Sequence, residues 1–182
     1  MKSTAGRLLV ASPLMGDPNF ERSVVLMVEH DDESALGLVL TDPTTTPVGQ
    51  MLPQWAPLTS QPDVFFLGGP VSYESVISLG WATGGDLQAF GRIVGDIGTI
   101  DLSGDPAGLG IELAQIRIFA GYSGWGRGQL ESELALDAWF VVDAHPTDVF
   151  TDEPHELWSE VLGRQRGPLA WLANYPIDPS MN

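Results

Sequence analysis

A chain of 182 residues with 24 acids against eight Lys and Arg carries a formal net charge of -16. Because nucleic-acid affinity comes mainly from cations that displace phosphate counterions, this balance argues against direct DNA binding. The absence of cysteine excludes disulfides and thiolate metal sites and fits a reducing compartment.

The length suits one domain with a full hydrophobic core, and the expected span is the whole chain, 1–182. The apolar run after Lys2 and Arg7 stops at Ser12 and Pro13, too short for a signal sequence, and no run is long enough to cross a membrane. A cytoplasmic protein without a membrane partner is the expectation.

Residues 7–11 read as a first strand, closed by Ser12 and Pro13. Two apolar runs at 23–29 and 35–40, separated by the polar residues 30–34, predict an antiparallel hairpin. Both runs are continuously apolar, which places them in the middle of a sheet covered on both faces. Four prolines between 44 and 62 leave room only for a short helix near 48–52. Strands follow at 63–67, stopped by Gly68, Gly69 and Pro70, then at 76–79, 92–95 and 98–102.

Asp105 before Pro106 predicts a helix N-terminus, with the helix running to about Ala114. A strand at 117–120 then leads into a glycine-rich turn over 121–128, a helix near 129–136 and a buried strand at 138–142. Leu157, Trp158, Val161 and Leu162 stand at helical spacing, with Gly163 as the stop. Strands dominate the first half and alternate with helices in the second. This predicts an α+β fold, one compact domain with a mixed, mostly antiparallel sheet flanked by helices; α/β is the alternative.

The glycine-rich stretch holds the candidate sites. Ser123, lying between a strand and a helix, invites comparison with a nucleophile elbow, although Trp125 stands where the second elbow glycine belongs. Partners for Ser123 would be Asp143 or Asp137, with His145 or His155. Alternatively, Gly124, Gly126 and Gly128 could present backbone N–H groups to a small anion beside Arg127. Glu131 and Glu133 in the first helical turns oppose an anion there. The simpler reading is that the glycines let Tyr122 and Trp125 pack closely. The polar run 29–33 offers metal ligands but no spacing that completes a coordination sphere, so a solvated turn is expected, with no metal and no cofactor.

Five segments then carry a resemblance: 17–24, Glu29 with His30, 35–40, 66–71, and 121–131, joined by Trp139 and the Trp158 helix. They resemble the DUF179 or UPF0301 group of bacterial proteins, the AlgH-like or YqgE-like family. The resemblance implies a compact α+β domain and, through the regulator label some members carry, a role in transcription, but no reaction or cofactor. At residues 41–43 this chain has Thr, Asp, Pro, where the family usually places Asn and a basic residue before Pro. Losing that cation weakens any shared anion site at Asp42.

Charge and resemblance together favour a non-enzymatic domain acting through a protein or small-ligand partner, without direct nucleic-acid contact. A hydrolase centred on Ser123 is the second reading and a direct DNA-binding regulator the third. An exposed edge strand would allow two copies to pair into a homo-oligomer.

Overall fold

The longest strand, β9 (Ile111–Gly126), organises the sheet by pairing on both sides along its length. The computed structural model describes residues 3–87 and 90–176; the ends of the 1–182 span, residues 1–2 and 177–182, lie outside them. The ten strands of the sheet run in the order β10-β1-β2-β3-β9-β6-β8-β7, with β5 joining β9 and β4 joining β5 off this path. Their bounds are β1 Arg7–Ala11, β2 Val24–His30, β3 Ser34–Val39, β4 Pro43–Pro47 and β5 Val64–Leu67. They continue with β6 Val71–Gly85, β7 Gly91–Val94, β8 Ile97–Thr99 and β10 Trp139–Asp143. Among the described residues only β5 against β9 is a parallel strand pair, and the fold is α+β, a single compact domain with a mostly antiparallel sheet.

The β2–β3 hairpin forms where two apolar runs flank the polar loop, and its strands alternate between two cores. Leu8, Val10, Val24, Leu26 and Leu38 face one side, against α4 (Leu157–Gly163), whose Leu157, Trp158, Val161 and Leu162 are buried there. Leu9, Ala11, Val25, Met27 and Val39 face the other, against Leu130 of α2 (Gln129–Ala135). Coverage of both faces is why these strands read as unbroken apolar runs. In the loop, Asp31 Oδ1 accepts from Glu33 N at 2.8 Å and Ser34 N at 2.9 Å.

Two expectations are corrected. The predicted turn at 121–128 is strand as far as Gly126, because Gly124 lies opposite Leu36 and Gly126 opposite Ser34 in the β3 ladder. The bend comes afterwards, at Gly128, whose φ of 71° suits glycine. The predicted helix through Ala114 stops at a 3-10 turn, Pro106–Gly108. Asp105 does cap it, accepting from Ala107 N at 2.9 Å, but Gly110 turns at a φ of 68° and β9 begins at Ile111.

The prolines admitted one strand that periodicity did not suggest: β4 pairs only with β5, an edge position where a missing N–H is tolerated. The short helix there is α1 (Val48–Met51). A 3-10 turn, Ala56–Leu58, and two further short helices, α3 (Pro146–Val149) and α5 (Pro168–Leu172), complete the described elements.

Gly68 and Gly69 cross directly over β9. A Cβ on Gly68 would stand 2.3 Å from the Gly121 carbonyl oxygen, and one on Gly69 2.3 Å from Ser123 Oγ. The glycine pair therefore serves backbone contact. It also positions Pro70 over the face that carries the site.

Candidate functional site

Ser123 lies in β9 and is fully buried, its hydroxyl donating to the Gly68 carbonyl at 3.1 Å. Its proposed partners are elsewhere. Asp143 ends β10, four positions away across the sheet, or roughly 19 Å at about 4.8 Å per strand. It pairs with Arg7 at 3.0 Å. His145 precedes α3, where its N–H donates to Asp148 Oδ2 at 2.7 Å. Asp137 occupies a left-handed turn at a φ of 53°, and His155 exerts its charge on Asp42. A serine-centred triad is therefore not assembled: the Ser123 hydroxyl is bonded to the Gly68 carbonyl on a central strand, while Asp143 ends the edge strand β10. Ser123→Ala should cost about 1 kcal/mol, the worth of one internal hydrogen bond, read as a lowered urea midpoint with unchanged slope.

Nor do Gly124, Gly126, Arg127 and Gly128 converge on one point. Gly124 and Gly126 are in the sheet ladder, the Gly126 N–H donates to Gln129 Oε1 at 3.2 Å, and Arg127 reaches Glu33 at 3.4 Å. In place of the anion cradle weighed as an alternative, these residues tie strand to helix.

What this face does contain is an aromatic cluster around a carboxylate. Glu133, one turn after Gln129 on α2, turns its side chain toward β9 and β10. Its Oε2 accepts from the indole N–H of Trp125 at 2.9 Å and from that of Trp139 at 2.8 Å. Its Oε1 accepts from Gln129 Nε2 at 3.0 Å. The indoles meet edge to face, centroids 6.1 Å apart, and Phe20 lies 5.3 Å from Trp139 and 6.2 Å from Trp125. Thus residues more than a hundred positions apart make one wall.

In front of it opens a cavity of about 370 Å³, bordered by Met15, Asp17, Phe20, Pro70, Gln129 and Glu133. At Pro70 it meets a second depression of about 190 Å³, bordered by Asn19, Asp42, Gly69 and Tyr73. The loop between β1 and β2 separates them, shaped by Asp17 Oδ1, which accepts from both Asn19 N and Asn19 Nδ2 at 2.9 Å. Behind it, Arg22 stacks on Trp158 at 4.4 Å and donates to the Tyr175 carbonyl. The strand-like sequence signals gave no hint of Phe20, Glu133, Trp139 or Asp42 as site residues. The usable signal was that Phe20, the Gly68, Gly69, Pro70 turn, Trp125 and Trp139 all fell in segments carrying the family resemblance.

Burial pushes the Asp42 carboxyl above its ordinary value, and the nearby charge of His155 pulls the other way. The sign follows from proton linkage: a carboxyl with a raised folded pKa favours the fold while protonated, and that contribution is lost as pH rises through the folded value. Asp42→Asn should therefore match or exceed the parent's stability at neutral pH, with the difference shrinking in acid, measured by thermal unfolding at several pH values.

Beside the groove, His30 Nδ1 accepts from Thr4 N at 3.1 Å, which leaves Nε2–H to donate to Glu131 Oε1 at 3.0 Å. Backbone hydrogen bonding, with the His30 contact second, holds the Glu131 carboxyl below its ordinary value. Its contribution is present above the unfolded pKa and lost as pH falls through the folded one. Glu131→Gln should accordingly flatten the parent's loss of stability at acid pH.

A larger cleft, about 700 Å³, lies between residues 57–61, Trp81 and 147–153. Its Asp148 is paired with Arg164 at 2.5 Å. Below residues 61 and 149, Arg117 is fully buried, donating to the carbonyls of Gln61 at 2.6 Å and Val149 at 3.1 Å, and lies over Phe66 at 4.2 Å. Burial pushes its pKa down to about 10, against the charge of Asp152, so it remains cationic at neutral pH. Among the described residues no three metal-ligating side chains cluster, and no helix is long and apolar enough to cross a membrane.

A family model described as DUF179, AlgH-like, matches residues 8–170. The chain is 50% identical to a UPF0301 protein of Streptomyces coelicolor and 49% identical to one of Streptomyces avermitilis, each alignment covering 100% of this chain and 97% of the relative. Its fold is similar to a crystal structure of a Corynebacterium diphtheriae protein, with a TM-score of 0.89 at 30% identity over 96% of this chain and 94% of that one. It is also similar to the solution structure of the AlgH protein from Pseudomonas aeruginosa, with a TM-score of 0.69 at 30% identity over 97% and 98%.

Proposed function

This chain belongs to the AlgH-like DUF179 family, and from that premise we propose that it is a non-enzymatic binding domain whose groove at Phe20, Pro70, Glu133 and Trp139 receives a partner. The observation that carries the reading is the chemistry of the groove's border. It has aromatic walls and carboxylates but neither a serine nor a histidine, so no nucleophile and imidazole meet there. Glu133 is occupied by three donors and is poorly placed to move a proton. A rigid, partly apolar cavity with a few fixed polar groups is what small ligands and anchoring side chains use.

Any regulatory role in transcription would run through that partner, because a net charge of -16 opposes the DNA backbone. The deciding experiment is a thermal-shift screen of peptides and metabolites, repeated with Phe20→Ala. Hits that lose their stabilising effect in the variant support the groove as the site. Hits that keep it, or sub-micromolar binding of random duplex DNA at physiological salt, would overturn the reading.

A further inference from the structure

Resting on that reading of the groove as the partner site, we propose that its occupant is a basic side chain, a lysine or arginine presented by a partner protein. The two adjoining depressions are bordered by Asp17, Asp42 and Glu133, and no lysine or arginine borders either. Among the described residues none of these three carboxylates forms an ion pair. Four of the chain's cations are used elsewhere: Arg7 on Asp143, Arg127 on Glu33, Arg164 on Asp148, Arg22 on Trp158.

Two of the carboxylates, Glu133 and Asp17, are also fixed in place. Glu133 is gripped by two indole N–H groups and one amide, all neutral donors, so its negative charge is oriented but uncompensated. Asp17 spends only Oδ1 on Asn19, and among the described residues nothing bonds its Oδ2. A cation entering here finds acceptors already aimed, which reduces the ordering cost of binding. A neutral apolar group would bury these charges without compensation, and an anion would meet like charge in either depression.

Shape agrees with charge. A cavity of about 370 Å³ is at the small end of ligand sites, suited to one long side chain. Met15 and Phe20 offer apolar surface to a methylene stem. The ring of Phe20 and the exposed ring of Tyr73 stand where a guanidinium or ammonium could lie over an aromatic face. Over longer range, the field of a chain with net charge -16 attracts basic partners and repels acidic ones.

The test uses acetylated hexa-arginine amide as probe, with hexaglutamate and a neutral Gly-Ser hexapeptide as controls, at physiological salt. Binding is followed by the NMR signals of the Trp125 and Trp139 indole N–H groups. Hexa-arginine should shift both signals. The double variant Asp17→Asn with Asp42→Asn should weaken it by ~10-fold, corresponding to one partly desolvated charge contact. A second double variant, Asp32→Asn with Glu33→Gln, removes the same charge on the hairpin loop and should weaken binding by less than ~2-fold, as expected for screened charges. Equal weakening by both variants would reduce the effect to general attraction and overturn the proposal. Shifts caused by the neutral peptide or hexaglutamate in preference to hexa-arginine would overturn the basic occupant while leaving the groove as a partner site. No shift with hexa-arginine, alongside groove-dependent hits in the metabolite screen, would do the same.

Discussion

Glu133→Ala is expected to cost about 3–5 kcal/mol, because it strands two buried indole N–H donors at once and each is worth about 1–3 kcal/mol when left unsatisfied. Trp125 and Trp139 are 4% and 3% exposed, and Glu133 is the acceptor that both indole N–H groups use. Gln129 would lose its acceptor too, and with it the bridge to Gly126 that fixes the start of α2. Glu133→Gln retains one carbonyl oxygen and should cost about 1 kcal/mol, the scale of a single hydrogen bond. Urea unfolding followed by tryptophan fluorescence would read both effects. Equal losses for the two variants would mean that charge, not acceptor geometry, holds the indoles.

Arg117→Ala is expected to lose about 3–4 kcal/mol, from a cavity beside Phe66 and from the carbonyls of Gln61 and Val149 left without donors. The guanidinium has no carboxylate within ion-pair distance among the described residues; two carbonyls and a ring face stand in for one. Methionine restores much of the volume and removes the cost of burying a charge, so Arg117→Met should lose less than half as much. A Met variant as unstable as the Ala variant would show that the two hydrogen bonds, rather than the packing, hold residues 61 and 149 against the sheet.

The sequence made β1, the β2–β3 hairpin, β5, β10, α2 and α4 legible because each is a local run whose periodicity or turn residues suffice. The last third of β9 was illegible for the opposite reason. Its glycines suggest a turn when read locally, and only the ladder with β3 and the overpass of Gly68 and Gly69 makes them strand. The aborted helix after Asp105 shows the same limit: a good cap was present, but Gly110 and the pairing of β9 with β6 took the following residues. The groove could not be read at all from spacing. Phe20, Trp125, Glu133 and Trp139 come from a loop, a strand, a helix and an edge strand, and only their joint packing creates the groove.

The pairing of Arg7 with Asp143 and of Ala11 with Trp139 sets the schedule on which the molecule can be completed. During synthesis β1 emerges well before β10, one of its two neighbours, which lies more than a hundred residues further along the chain. Until then its outer backbone groups have no ladder, and the hairpin beside it is missing the indole of Trp139 from its cover. A topology so rich in sequence-distant contacts folds slowly. The nascent chain therefore stays sticky along that margin until β10 has been made, and chaperone engagement should fall off only once β10 is clear of the exit tunnel.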